Sequence, residues 1–475
     1  MTKPAYNNFT LSFFFVLFFA ASACATPEVT TEAEPDPDYK AEPRPAVIET
    51  DLETARLDSV LDELNFEDEP GVVAAVFEQG ELIFSSSSGL ANLDHNIPLS
   101  DSSRFFMAEL SKQVTAAAAG VLIHRDSLSL DTRVYDVLDD WPQWAEEVRV
   151  HHLIHHTSGL PEIYDLIEVT DFNMADPIDL DEYVEMLTKA EELNYEPGDE
   201  FSYSNSGYKI LAAIIEKVAD QNLDEFSREV LFDPLGMEET HFHTNRSRII
   251  PNRVLSYSGS GNNYRQEYLN MFQGYGPVGL YSSLRDWEKW EKMRVDDDPL
   301  GKGPEFRELL LQNGQKNNDA EVDYLFGLER NSWKGQEQYT HAGNFMGYSH
   351  FIRHFPEYQL TVLVKSNRSR FNAESLTEEL AEYLLAGELK AWLEPYTGSF
   401  YNDELDVTYT ITVEYGRLRL ERPHSDESTL RYDDEDKWRM GSWDFVFDPS
   451  DNHKAERFLL STGRAREVEF VRRNN

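Results

Sequence analysis

Cysteine is nearly absent. The 475-residue chain carries one, Cys24, so no intramolecular disulfide can form. Basic residues are also scarce, 43 Lys and Arg against 87 Asp and Glu, and the resulting formal charge of −44 would repel a phosphate backbone. Nucleic-acid binding is thereby excluded as a function class. Past residue 25 no segment approaches the roughly 18 apolar residues of a membrane span, and no internal repeat recurs. What is present suits globular cores: 40% hydrophobic residues and 12% aromatics, over a length that favours two or three folding units.

The lone cysteine sits at an informative place. Residues 11–23, LSFFFVLFFAASA, form a charge-free apolar run behind Lys3, too short to span a bilayer and shaped like the core of a signal peptide. Export to the periplasm or the bacterial envelope is the expectation. Two processing routes fit: cleavage after Ala25 at the small-x-small site Ala23-Cys24-Ala25, or lipidation of Cys24 at the lipobox-like Ala21-Ser22-Ala23-Cys24, which lacks the usual leading Leu. With residues 1–25 as the leader, residues 26–50, rich in Pro, Glu and Thr, read as an acidic tether with too little apolar content to order itself. The membrane is then a partner only through an N-terminal lipid.

From residue 51 the pattern turns globular. Residues 52–64 have helical apolar spacing. Past Pro70-Gly71, two β-type runs flank Gly80 as a hairpin. The run AAAAGVLI is apolar on all sides, which predicts a helix buried mid-domain whose entry, near Glu109, opens into an interior cleft. Residues 208–219 predict a second helix and residues 351–367 a strand pair. Strands at both ends with helices between them indicate an α+β fold around an antiparallel sheet over residues 51–388. From residue 392 to 475 short alternating runs such as YTITVEYGRLRLE and WDFVFD predict a small all-β barrel or sandwich.

Several motifs have bland readings. His151, His152, His155 and His156 include pairs at i,i+4, the spacing of zinc-binding helices, but no glutamate lies between them to serve a metal-bound water; packing is expected and no metal. The acidic runs Asp296-Asp297-Asp298 and Asp433-Asp434-Glu435-Asp436 read as solvated faces.

The order of segments EPGVVAAVFEQGELIF, SKQVTAAAAGVLIHRDSLSLD, HHLIHHTSGL, EPGDEFSYSNSGY, GPVGLYSSLRDWEKW and HAGNFMGYSHF resembles the serine β-lactamase and penicillin-binding-protein superfamily, specifically its class C β-lactamase-like serine hydrolases. The resemblance implies a five-stranded antiparallel sheet flanked by helices, a helical lobe with the active site between, and a lipocalin-like character for the β-type tail. It implies a Tyr-x-Asn, present as Tyr203 and Asn205, and a Lys/His-x-Gly, present as His341 and Gly343. It also implies a Ser-x-x-Lys. Lys112 is in place, but Glu109 stands where the nucleophilic serine belongs.

That exchange has direct chemical consequences. A serine ester is a stable way-station for acyl transfer; a glutamate can form only a mixed anhydride, and it puts negative charge where an oxyanion should develop. Ser111 neighbours Lys112 in sequence and so points about 100° away on a helix, out of the cleft. The simplest role for Glu109 is an i,i+3 ion pair with Lys112 at a helix N-terminus. The leading expectation is a cleft without its nucleophile that binds an envelope peptide or acyl ligand, with no cofactor. An active hydrolase using Glu109 as general base on water, acting on esters or D-amino-acid peptides, and a binding module centred on the C-terminal β domain both stay open. The sequence sets no oligomeric state.

Overall fold

The computed structural model describes residues 57, 59–60 and 64–473, without 170–177, 262, 268–273, 297, 435 and 450–453. The leader, Cys24, the tether and most of the helix expected over 52–64 lie outside the described residues, as do Asp297 and Glu435.

The hairpin at Gly80 forms as expected, β1 (Val72–Glu78) turning into β2 (Glu81–Ser88). The fully apolar run becomes α1 (Ser111–His124), in which every residue from Ser111 to Leu122 is buried. The second helix, α2 (Asn205–Ala219), starts three residues before the apolar pattern announces it. Four further strands follow, β3 (Glu329–Trp333), β4 (Gln336–Phe345), β5 (Tyr348–Phe355) and β6 (Leu360–Ser366). They join the hairpin in an antiparallel sheet of order β3-β4-β5-β6-β1-β2. The sheet has six strands where the resemblance implied five, because β3, polar and mostly exposed, pairs along the outer edge of β4.

Alternation along each strand sorts side chains onto two cores. Val73, Ala75 and Phe77 of β1 face α1, α2 and the helical lobe. Val72, Ala74 and Val76 face the opposite way, onto α3 (Ala373–Leu384) and α4 (Ala386–Leu393). This second core runs without a break into the C-terminal barrel. Eight antiparallel strands, from Gly398–Asn402 to Ala465–Arg472, close on themselves through the pairs Phe400↔Arg472 and Tyr401↔Val471. Its interior is filled by rings: Phe458 stacks on Phe470 at 4.8 Å and meets Phe400 at 5.1 Å, and Trp438 is fully buried. A small barrel packed in this way has side chains where a ligand-carrying barrel has space.

One glycine fixes how closely the loop before β3 approaches α1. Gly327 has φ 89°, and a Cβ there would lie 2.5 Å from the backbone N of Gln113, directly after Lys112. Gly327→Ala should therefore cost about 2 kcal/mol or more, adding a left-handed backbone penalty to a clash with backbone that cannot rotate away; denaturant unfolding of the variant against wild type measures it.

Candidate active site

The site is assembled from four chain segments. Immediately before α1 the chain makes a tight turn, Ala108–Leu110, with Ala108 at φ 48°. Ser111 holds it: its Oγ donates to the Ala108 carbonyl at 2.6 Å and accepts from the Leu280 N–H at 3.2 Å. The Ser111 hydroxyl is thus buried and spent on structure. On β4, Gly343 packs against the same turn, where a Cβ would meet the Met107 carbonyl at 3.1 Å and the Ala108 Cβ at 3.3 Å. A glycine in His-x-Gly is what lets the strand come this near.

The turn also corrects the ion pair expected between Glu109 and Lys112. Glu109 lies in the 3-10 turn ahead of α1, not on the α-helix, so the i,i+3 geometry of a regular helix does not apply. Its carboxylate turns instead to β4, where Oε2 accepts the Asn344 N–H at 2.8 Å. Lys112 goes the other way: its Nζ donates to Asn205 Oδ1 at 2.7 Å and lies 4.6 Å from the centre of the Tyr203 ring. The two charges still feel each other. Desolvation raises the Glu109 pKa, opposed by the Lys112 charge and by the backbone N–H groups of Glu109 itself and Asn344. Burial lowers the Lys112 pKa to about 8, with Glu109 and then Glu162 holding it up.

Glu162 is a residue that sequence reasoning missed. It caps the short helix Ile163–Glu168, and its carboxylate accepts the Asn205 N–H at 2.7 Å, the Asn205 Nδ2–H at 3.0 Å and the Ser204 Oγ–H at 3.2 Å. It fixes the Asn205 amide with its oxygen toward Lys112. The local signal was Pro161-Glu162 ahead of an apolar run, an ordinary helix start; the partner 43 residues away gave none.

Behind the Tyr203-Ser204-Asn205 loop lies His156, expected only to pack. Its Nδ1 accepts the Ser204 N–H at 3.1 Å and its ring sits 4.5 Å from that of Tyr203. The other histidines of the cluster are likewise bound to backbone. His151 Nδ1 lies 2.8 Å from the Leu130 carbonyl and His155 Nδ1 2.7 Å from that of Tyr324, while His152 Nδ1 accepts the Arg149 N–H at 3.1 Å.

His341 completes the site. Burial and then the Lys112 charge lower its pKa to about 3, so the imidazole is neutral. Nδ1 lies 2.6 Å from the Ala342 carbonyl, which assigns the proton to Nδ1 and leaves Nε2 as an acceptor for the hydroxyls of Tyr324 at 3.1 Å and Tyr203 at 3.5 Å. Burial, followed by the Glu109 charge, pushes the Tyr203 phenol well above its ordinary range. Tyr203 is therefore a hydrogen-bond donor, not a phenolate base.

All six residues singled out in the sequence, Glu109, Lys112, Tyr203, Asn205, His341 and Gly343, meet here. The arrangement offers two backbone N–H groups drawing on one anion, a buried ammonium, a neutral imidazole and a phenol donor. The anion is the protein's own carboxylate.

The family model described as Beta-lactamase matches residues 57–386, most of the chain. The chain belongs to the beta-lactamase family. Among curated relatives of this family member is penicillin-binding protein 4* of Bacillus subtilis, 28% identical over 337 residues, covering 67% of this chain and 72% of that protein. A D-aminopeptidase of Gluconobacter oxydans is 26% identical over 368 residues, 76% of this chain and 67% of that one. Among solved structures, the octameric penicillin-binding protein homologue from Pyrococcus abyssi superposes with a TM-score of 0.61 at 20% identity, over 89% of this chain and all of that one. The family carries a serine hydrolase fold.

Lys112 gives this site a direct solution test. In a sample with isotope-labelled lysine, the Lys112 signal, assigned by its loss in Lys112→Arg and so told apart from the other buried lysines, should titrate with a midpoint of about 8, and Glu109→Gln should move that midpoint down because the carboxylate supports the charged amine. A Lys112 signal titrating near 10.5, the ordinary lysine value, would refute the burial and the coupling together.

Proposed function

We propose that this beta-lactamase family member is a non-acylating binding protein of the bacterial envelope, exported and tethered through Cys24, whose cleft holds a peptide or acyl ligand without turning it over. The observation that carries this reading is the position of the Glu109 carboxylate on the Asn344 N–H. An acyl-enzyme route needs a hydroxyl at that turn and free backbone donors for a developing oxyanion. Here the turn supplies a carboxylate and the donors already hold it. The serine hydroxyls of the adjoining segments are already engaged: Ser111 is bound to the Ala108 carbonyl and Ser204 to Glu162. The names of the relatives, a D-aminopeptidase and a penicillin-binding protein, favour D-amino-acid-containing peptides as the ligand class.

Incubation with a fluorescent penicillin followed by intact-mass measurement should show no adduct on the wild type. Glu109→Ser should form one, since it restores a hydroxyl three residues before Lys112 and frees the Asn344 N–H. An adduct on the wild type would sink the proposal.

One observation favours a second reading. A carboxylate whose pKa is raised by desolvation, beside an amine lowered to about 8, is poised for general base chemistry on a water molecule, giving direct hydrolysis without a covalent intermediate. Turnover of nitrophenyl esters or D-amino-acid amides that falls by about a hundredfold or more in Glu109→Gln would establish it. The third reading, the C-terminal barrel as the binding module, is disfavoured by an interior already filled with aromatic side chains.

A further inference from the structure

Three carboxylates and one ammonium reach the cleft. Glu109 stands on the turn before α1, Glu162 caps the helix Ile163–Glu168, Glu329 opens β3, and Lys112 on α1 supplies the positive charge. The buried groups nearby add little to it. Burial pushes the Lys209 amine on α2 well below its ordinary range, and it keeps His156 and His341 neutral. The balance is negative. After burial, the charges that push the Tyr203 phenol up are those of Glu109, Glu329 and Glu162, and Glu162 and Glu109 act in the same sense on Tyr164.

Glu109 has room for a cation. It accepts backbone N–H, Asn344 among them at 2.8 Å, and forms no ion pair among the described residues, because the Lys112 ammonium is turned to Asn205. A carboxylate has about four acceptor positions, so capacity remains. Burial raises the Glu109 pKa even with Lys112 close by, and a second cation in contact would offset that cost of ionisation.

Beside this carboxylate lies an unmet hydroxyl. The Tyr164 ring sits 5.6 Å from that of Phe345, the residue after Asn344, and its buried Oη has no hydrogen-bond partner among the described residues. Buried polar groups are almost always paired, so this one calls for a partner from outside the chain. A carboxylate, a hydroxyl oxygen and two aromatic rings around one strand end form a setting that favours positive charge.

Granted the peptide-binding reading above, we propose that the ligand group seated at Glu109 is a primary ammonium, the free amino terminus of a peptide, paired with the Glu109 carboxylate, donating to the Tyr164 hydroxyl and held against the Phe345 ring. A blocked terminus lacks the charge, and a ligand that leads with a carboxylate meets repulsion.

Calorimetry on the full chain with the tripeptide of D-alanine in two forms tests this. The C-terminal amide, which has a free ammonium and no carboxylate, should bind at least about tenfold more tightly than the N-acetylated acid, the difference made by one charge-assisted hydrogen bond. Glu109→Gln should remove that preference. Tyr164→Phe should weaken the amide by about threefold and leave stability to denaturant unchanged, since the hydroxyl has no partner in the chain to lose. Equal or tighter binding of the acetylated acid by the wild type would overturn the ammonium site and leave the peptide-binding reading standing; no binding of either form would overturn both. The wild-type comparison decides the matter even if both variants fail to fold.

Discussion

A single buried ammonium organises the centre of this protein. Lys112 sits on a helix with no solvent on any side, and an ammonium in such a place is tolerable only if the surroundings compensate it. The compensation is spread over separate parts of the chain. Asn205 gives a carbonyl oxygen, Tyr203 a ring face, and Glu109 and Glu162 negative charge. Glu162 in turn orients Asn205 and Ser204, and His156 holds the Ser204 backbone from behind. The helical lobe, the turn before α1 and the edge of the sheet are thus locked in register by the need to satisfy one charge.

The same arrangement shows how small a change separates two chemistries. The tight turn, the bare strand at Gly343 and the Asn344 N–H form a cradle for an anion regardless of where the anion comes from. With a hydroxyl at the turn, the anion would be the transient oxygen of a reacting carbonyl. With Glu109, the acceptor is the carboxyl oxygen of the protein's own side chain. On the non-acylating reading proposed above, donors suited to a transition-state oxygen make a ground-state contact to the protein's own side chain instead.

Much of this was legible in the sequence because it rests on short-range rules. Two apolar β-type runs around Gly80 marked the hairpin and the run at 351–367 a strand pair, the unbroken apolar run marked a buried helix, and the short alternating segments marked an all-β tail that proved to be a closed barrel. The six cleft residues were found by their order along the chain. What could not be read depended on tertiary approach. The ion pair assumed for Glu109 and Lys112 presupposed a regular helix, and the turn at Ala108 removed that premise. Glu162 is passed over and His156 is read as a packing residue; their partners lie 43 and 48 residues further on, and no local pattern encodes such a pairing.

The filled barrel and the outer face of the sheet share one apolar core, and that imposes an order of assembly. β1 pairs with β6 across most of the family-matched region, Val72 opposite Ser366, and the barrel closes only when Ala465–Arg472 reaches Gly398–Asn402. Until α3 and α4 have emerged, Val72, Ala74 and Val76 have their cover missing. A nascent chain must therefore carry an open hydrophobic face until the helices after β6 are made.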